Sequence, residues 1–385
     1  MSQKPEPKGS PSADLALVLS GGGARACYQV GVLVAIAERV PELQVPILTG
    51  VSAGAINAAS LAAHPGTFQS AVGTLRRQWK QLTSDQVYAV RPISVVRSSL
   101  RWLFKTLFGR GSGPGVVRGL MDMDPLRRHL GKSIVFEGIT QNIAAKRLAA
   151  LALSATSYSE GRAVTFIQGC EEIPAWQRSL RRSVHTEIRL DHVLASAAIP
   201  IVFPAVKLED GFYGDGSVRQ IAPLAPAIHL GARRLIAISM RSPRQPWAPS
   251  VPIGDYPAAA EVMSLLFSSI FLDHLDADSE RLKLVNRLLA ELPSNRPPPQ
   301  GVRTVDLLLL RPSRDLGVLA RGLEAKLPRV VRLLVQGIGG RREGASDLLS
   351  YLLFEPPYTE VLMEVGYSDA VAQWSEIEQF MAQCD

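Results

Sequence analysis

Residues 15–40, LALVLSGGGARACYQVGVLVAIAERV, followed by residues 45–63, VPILTGVSAGAINAASLAA, decide the fold. Leu15 to Ser20 is apolar without polar alternation, as a parallel strand buried on both faces requires, and it runs into Gly21-Gly22-Gly23. From Ala26 to Val40 apolar residues recur at helical spacing through Val30, Leu33, Val34, Ile36 and Ala37, until Pro41 stops the pattern. Val45 to Leu48 reads as a second strand ending in Gly50-Val51-Ser52-Ala53-Gly54, and Ala55 to Ala63 suits an Ala-rich helix stopped by Pro65-Gly66. The chain therefore opens β-turn-α-β-turn-α, and both glycine turns fall at the carboxyl edge of one parallel sheet.

Working outward, Leu148 to Ser154, Ala163 to Gln168, Leu235 to Met240 and Val305 to Leu310 are further strand candidates between helical stretches, with a short strand at Ala205 to Leu208. A mostly parallel α/β sheet is expected. Residues 87–130 interrupt the rhythm: Arg97, Arg101 and Lys105 lie opposite Val96, Leu100, Leu103, Phe104, Leu107 and Phe108, ahead of the glycine-rich Gly109 to Gly115. Two readings stand for this stretch, an amphipathic helix packed on the core and a lid or membrane-facing insertion. Tyr256 to Leu292 reads as helix, residues 291–301 (ELPSNRPPPQG) as loop, and the chain from about residue 314 as helical. The expected organisation is a tail over 1–14, a catalytic domain over 15–313 and a C-terminal helical extension over 314–385.

The 385 residues are 46% hydrophobic and 20% charged, which excludes collagen-like, coiled-coil and wholly disordered classes. A net charge of +7 favours anionic partners such as lipid headgroups. Cys27, Cys170 and Cys384 lie far apart without a CxxC pair, so neither a disulfide framework nor a zinc site is expected. The first fourteen residues lack an apolar core of a secretory signal, and no uninterrupted apolar stretch of about 20 residues exists to span a bilayer. A cytoplasmic location, with peripheral membrane contact left open, is the expectation.

Gly50-Val51-Ser52-Ala53-Gly54 is a G-x-S-x-G sequence between a strand and a helix, the context in which this motif makes a nucleophile elbow. Gly50 and Gly54 allow the tight turn that projects Ser52. The N–H groups of Gly21, Gly22 and Gly23 share its sheet edge and form a candidate oxyanion hole, with Arg25 adding positive charge or holding the loop in shape. Gly21, Gly23 and Ala26 also satisfy G-x-G-x-x-A, but the second strand lacks the acidic residue that a dinucleotide's ribose wants. A serine nucleophile needs a base, and none of His64, His129, His185, His192, His229 and His274 lies in a suggestive motif. Tyr213-Gly214-Asp215-Gly216-Ser217 reads instead as a tight loop presenting the Asp215 carboxylate.

The glycine loop, Gly50 to Gly54 and Asp215-Gly216, in that order, resemble the patatin-like phospholipase family, and its bacterial members most closely. The resemblance continues through Ala195-Ser196-Ala197-Ala198-Ile199-Pro200, Phe203-Pro204, Pro223-Leu224, Pro226-Ala227-Ile228 and Gly231-Ala232, covering most of residues 15–240. It implies a three-layer α/β sandwich with a mostly parallel central sheet, and a Ser-Asp dyad in which Ser52 is the nucleophile and Asp215 activates it. Two departures stand out: Ala26 replaces a usual glycine, and Ser217 makes the acid motif Asp-Gly-Ser instead of Asp-Gly-Gly or Asp-Gly-Ala. The implied activity is hydrolysis of carboxylic esters of phospholipids or lysophospholipids, without metal, cofactor or nucleic-acid partner. The rival readings are an acyltransferase, thioesterase or small-ester esterase on the same dyad, an ordinary hydrolase triad completed by His274, and a non-catalytic membrane- or protein-binding module.

Overall fold

The computed structural model describes residues 14–90, 119–169, 174–243, 259–293, 297–299, 301–328, 331–332 and 349–382. Residues 1–13 of the expected tail, the amphipathic stretch around Arg97 to Phe108, Cys170 and Cys384 lie outside the described residues. The elements that build the site are β1 (Leu15–Leu19), α1 (Cys27–Arg39), β2 (Ile47–Val51), α2 (Ala53–Ala63), α3 (Phe68–Gln81) and α4 (Asp124–Ser133). They continue through β3 (Ala150–Ser157), β4 (Arg162–Gly169), β5 (Arg181–His185), α5 (Leu190–Ala197), β6 (Val206–Leu208), β7 (Gly211–Asp215) and β8 (Arg234–Ile238). The last are α6 (Ala259–Phe271), α7 (Asp273–Ala290), β9 (Asp306–Leu310) and α8 (Pro356–Ala372).

The strands form one sheet in the order β5-β4-β3-β2-β1-β8-β9, with β7 on the far end of β3 and β6 on β7. From β9 to β3 all neighbours are parallel; β4 runs antiparallel to β3, so the sheet is mostly parallel as expected. Alternate residues of the central strands feed two separate cores, because a strand's side chains point to opposite faces. Leu17, Leu19, Leu48, Leu151 and Leu153 pack under α1, α2 and α3. Ala16, Val18, Ile47, Ala150 and Ala152 face Leu224, Ala227 and, from α7, Leu275 and Leu282. Helices on both faces of a central sheet make the three layers, with α8 laid on the outside of α1. Neither helix has a side chain where they cross: a Cβ on Gly31 would intrude on the Met363 carbonyl, and one on Gly366 on the Tyr28 carbonyl.

Three expectations need correction. β2 starts at Ile47 and not Val45, because Pro46 lacks an N–H and offers only its carbonyl, which accepts from the amides of Ala149 and Ala150. Asp215 is not held in a tight loop between glycines: it is the last residue of β7, and the following Gly216–Val218 makes a single 3-10 turn. The helical stretch from residue 314 begins later among the described residues, with short 3-10 turns at Val318–Ala320 and Glu324–Lys326 ahead of α8.

Candidate active site

Strand register brings Ser52 and Asp215 together. β3 is eight residues long and β2 only five, so β2 covers Ala150 to Ser154 and leaves the end of β3 free on that side. β7 fills that space from the opposite direction, pairing Tyr213 with Ser157 and Asp215 with Ala155. The two strands therefore meet head-on, Val51 opposite Ser154 and Asp215 opposite its neighbour Ala155. Ser52 and Asp215 are the residues at the meeting point, though 163 positions separate them in sequence. The Asp215 N–H donates to the Ala198 carbonyl and the Thr156 hydroxyl donates to the Asp215 carbonyl, each at 2.8 Å.

Ser52 sits at φ 57° and ψ −131°, a conformation that a residue with a side chain adopts only when its surroundings enforce it. The surroundings are close backbone contacts: a Cβ on Gly50 would lie 2.5 Å from the Gly54 carbonyl oxygen, and one on Gly54 would overlap the Leu19 carbonyl. The Ser52 N–H donates to Ser196 Oγ at 3.0 Å, and that hydroxyl donates to the Ser154 carbonyl at 2.6 Å. Ser196 thus pins the elbow to β3, a role that two long-range hydrogen bonds create and that no local pattern signals. Its one signal is its place in the Ala195 to Pro200 run.

Asp215 is fully buried. Burial pushes its carboxyl up from 3.8 to about 6, against the opposing pull of the Ser52 hydroxyl and of the Ser217 N–H and hydroxyl. The Ser217 N–H donates to Oδ1 at 2.9 Å, which fixes the carboxylate plane. Among the described residues Oδ2 makes no hydrogen bond of good geometry, while the Ser52 and Ser217 hydroxyls lie close enough to favour its charged form. Gly216 is obligatory for the approach, because a Cβ there would overlap the Ser154 carbonyl.

The glycine loop lies against both residues. A Cβ on Gly21 would come within 2.7 Å of Ser217 Oγ and 2.9 Å of Ser52 Cβ, and Gly23 takes a left-handed φ of 57°. The amides of Gly22 and Gly23 donate no hydrogen bond among the described residues. Behind the loop, Gln29 donates to the Ser20 carbonyl at 2.9 Å and accepts from Asn57 at 2.8 Å, while Trp79 donates to Asn57 at 2.7 Å. This chain ties the start of the loop to α2 and α3. Arg25 is buried with Nε 2.7 Å from Ser350 Oγ and its guanidinium 4.4 Å above the Tyr351 ring. Of the two roles expected of Arg25, holding the loop in shape is the one these contacts serve.

An apolar channel opens beside Ser52 and Gly23, walled by Ile56, Leu75, Trp79, Leu130, Phe203 and Phe354 among others. His129 also lines it, with its imidazole pKa lowered by burial. No histidine is among the hydrogen-bond partners of Ser52 or Asp215: His64 accepts from the Gly66 N–H, His192 from the Arg189 N–H, and His229 stacks on Trp176. Among the described residues no group of three or more His, Cys, Asp or Glu side chains is placed to hold a metal.

The strained serine elbow and Gly23 border the apolar channel, and the buried carboxylate lies behind them at the meeting of β2 and β7, an arrangement of groups suited to ester hydrolysis. The model of the patatin-like phospholipase family matches residues 17–228, more than half of the chain, and the chain belongs to that family. Among solved structures it is similar to human GIVD cytosolic phospholipase A2 in complex with methyl gamma-linolenyl fluorophosphonate, at 12% identity and TM-score 0.45 over 96% of this chain and 59% of that one. It is also similar to VipD from Legionella pneumophila, at 11% identity and TM-score 0.36 over 95% of this chain and 68% of that one. ExoU of the type III secretion system of Pseudomonas aeruginosa, in complex with SpcU, aligns at 14% identity and TM-score 0.27 over 92% of this chain and 77% of that one. The chain spans less than two thirds of the human phospholipase. Comparison with curated protein sequences gives no significant match.

Proposed function

We propose that the chain is a lipid acyl hydrolase that cleaves carboxylic esters of phospholipids or lysophospholipids through Ser52 and Asp215. The observation that carries this reading is the head-on meeting of β2 and β7, which sets the strained serine and the buried carboxylate beside an apolar channel. In this mechanism Asp215 takes the Ser52 proton as Oγ attacks the acyl carbon, and the amides of Gly22 and Gly23 receive the oxyanion. The alcohol leaves with the proton from Asp215, giving an acyl-Ser52 ester. Water then attacks this ester, Asp215 accepts its proton, and the fatty acid departs as Ser52 is restored. The channel holds the acyl chain, so the apolar tail contributes binding while the ester stays at the elbow.

A peripheral location at a lipid surface belongs to the same reading. No described helix is long and apolar enough to cross a membrane. On α6, which packs beside the Gly216–Val218 turn, Val262, Leu265 and Leu266 form an exposed apolar stripe at helical spacing. With the net charge of +7, this stripe suits an anionic bilayer next to the site of chemistry.

The test is fatty-acid release from mixed phospholipid and lysophospholipid vesicles, with every product identified by mass spectrometry. Release is expected from the wild type and not from Ser52→Ala, with Asp215→Asn lowered by at least about 100-fold. Equal release by wild type and Ser52→Ala would overturn the proposal. Acyl transfer by the same dyad predicts instead that a labelled acyl group goes to glycerol or lysolipid in preference to water.

A further inference from the structure

Ser217 has a buried hydroxyl beside the Asp215 carboxylate, whose charged form it favours. It is 4% exposed, and among the described residues its Oγ has no aligned hydrogen-bond partner, a condition it shares with Oδ2 of the nearby Asp215. Its backbone N–H holds Asp215 Oδ1 at 2.9 Å, so the orientation of the carboxylate does not rest on the hydroxyl alone. The hydroxyl is aimed at the reacting centre: the position of a Cβ on Gly21 lies 2.7 Å from Ser217 Oγ and 3.6 Å from Ser52 Oγ. Both hydroxyls therefore converge on the same point of the glycine loop, with the second carboxylate oxygen beside them. A buried hydroxyl and a buried carboxylate oxygen without aligned partners favour a further polar molecule that completes both.

Acylation changes what these groups can do. Once Ser52 Oγ is an ester oxygen it has no proton to share, whereas Asp215 Oδ2 and Ser217 Oγ keep their capacity to bind a water beside it. We infer that Ser217 Oγ and Asp215 Oδ2 together hold the water that hydrolyses the acyl-enzyme, which makes Ser217 a catalytic residue of deacylation. This rests on the reading of Ser52 and Asp215 as the dyad. In the step, Asp215 Oδ2 takes one proton of the water while Ser217 Oγ accepts a hydrogen bond from the other hydrogen. The water oxygen bonds to the acyl carbon. The bond from that carbon to Ser52 Oγ then breaks, Oγ takes the proton back from Asp215, and the fatty acid leaves. No other reactant is required.

The experiment mixes wild type, Ser217→Ala and Ser52→Ala with a p-nitrophenyl acyl ester and follows the acyl adduct by intact-protein mass spectrometry after quenching. At about pH 8, where Asp215 is ionised with or without the Ser217 hydroxyl, the expected result for Ser217→Ala is adduct formation within about twofold of wild type and adduct decay roughly tenfold slower, since a misplaced water loses the orientation that makes its attack fast. The rate of Ser52 labelling by a fluorophosphonate, measured in parallel, is expected to be unchanged and reports that fold and nucleophile are intact. Unchanged decay, or formation and decay slowed by the same factor, would overturn the assignment while leaving the dyad standing. Absence of any Ser52-dependent adduct in the wild type would overturn the dyad reading itself, and the role of Ser217 with it.

Discussion

Asp215 concentrates the tension of this molecule in one carboxyl group. Because burial holds its pKa near 6, above the ordinary value of 3.8, the acid limb of kcat/KM is expected to rise through about pH 6. A limb centred near pH 4 would contradict the buried geometry. The same shift has a stability consequence of definite sign. A carboxyl with a raised native pKa contributes stability that is fully present below its unfolded pKa near 4 and is lost as pH rises through about 6. Asp215→Asn cannot ionise, so at about pH 8 it is expected to be more stable than wild type by up to about 3 kcal/mol, the gap closing by about pH 4. Denaturant titrations at both pH values check this. At this scale the sequence was legible where a residue's role is local: Ser52, Gly50 and Gly54 stand in a motif between strand and helix. Ser196 was not legible as the pin of the elbow, because its two partners lie 144 and 42 positions away.

Among the elements, the turns tolerate least. Gly54→Ala and Gly216→Ala each place a methyl group on a backbone carbonyl that cannot retreat, Leu19 and Ser154 respectively. Each is expected to lower the unfolding free energy by about 3 kcal/mol or more, read as a shifted denaturant midpoint. The helices that wall the channel should govern chain length instead: Leu130→Trp on α4 fills the channel and is expected to favour short acyl esters over long ones by roughly tenfold in kcat/KM. β1 and β8 were readable as short apolar runs buried on both faces, α1 by the helical spacing of its apolar residues and α2 by its alanine content. β7 was not, since Gly211-Phe212-Tyr213-Gly214-Asp215 carries two glycines and an aspartate, poor strand formers that pairing with β3 and β6 overrides. β5, with Arg181, Arg182 and His185 on a sheet edge, lacks an apolar pattern for the same reason that an edge needs none.

For the whole molecule, the C-terminal part is structure and not appendage: α8 crosses α1 at Gly31 and Gly366, and the Tyr351 carbonyl closes over Gly23 of the glycine loop. Sequence periodicity showed that this region is helical but gave no hint of where it docks, because docking depends on glycines that have no side-chain pattern. The exposed stripe on α6 belongs to this scale too. Leu265→Glu with Leu266→Glu is expected to weaken association with anionic vesicles by about tenfold or more while hydrolysis of a monomeric short-chain ester stays within about twofold. Sedimentation with vesicles, beside a soluble-ester assay, separates the two. The head-on meeting of β2 and β7 also bears on how the protein is made. A chain leaving the ribosome from its N-terminus presents Ser52 long before Asp215, and Tyr351 later still. Contacts of such long sequence separation form late, after the entropy of closing the intervening loops has been overcome. The emerging polypeptide is therefore expected to carry Ser52 without its proposed partner until Asp215 and, later, Tyr351 have been added.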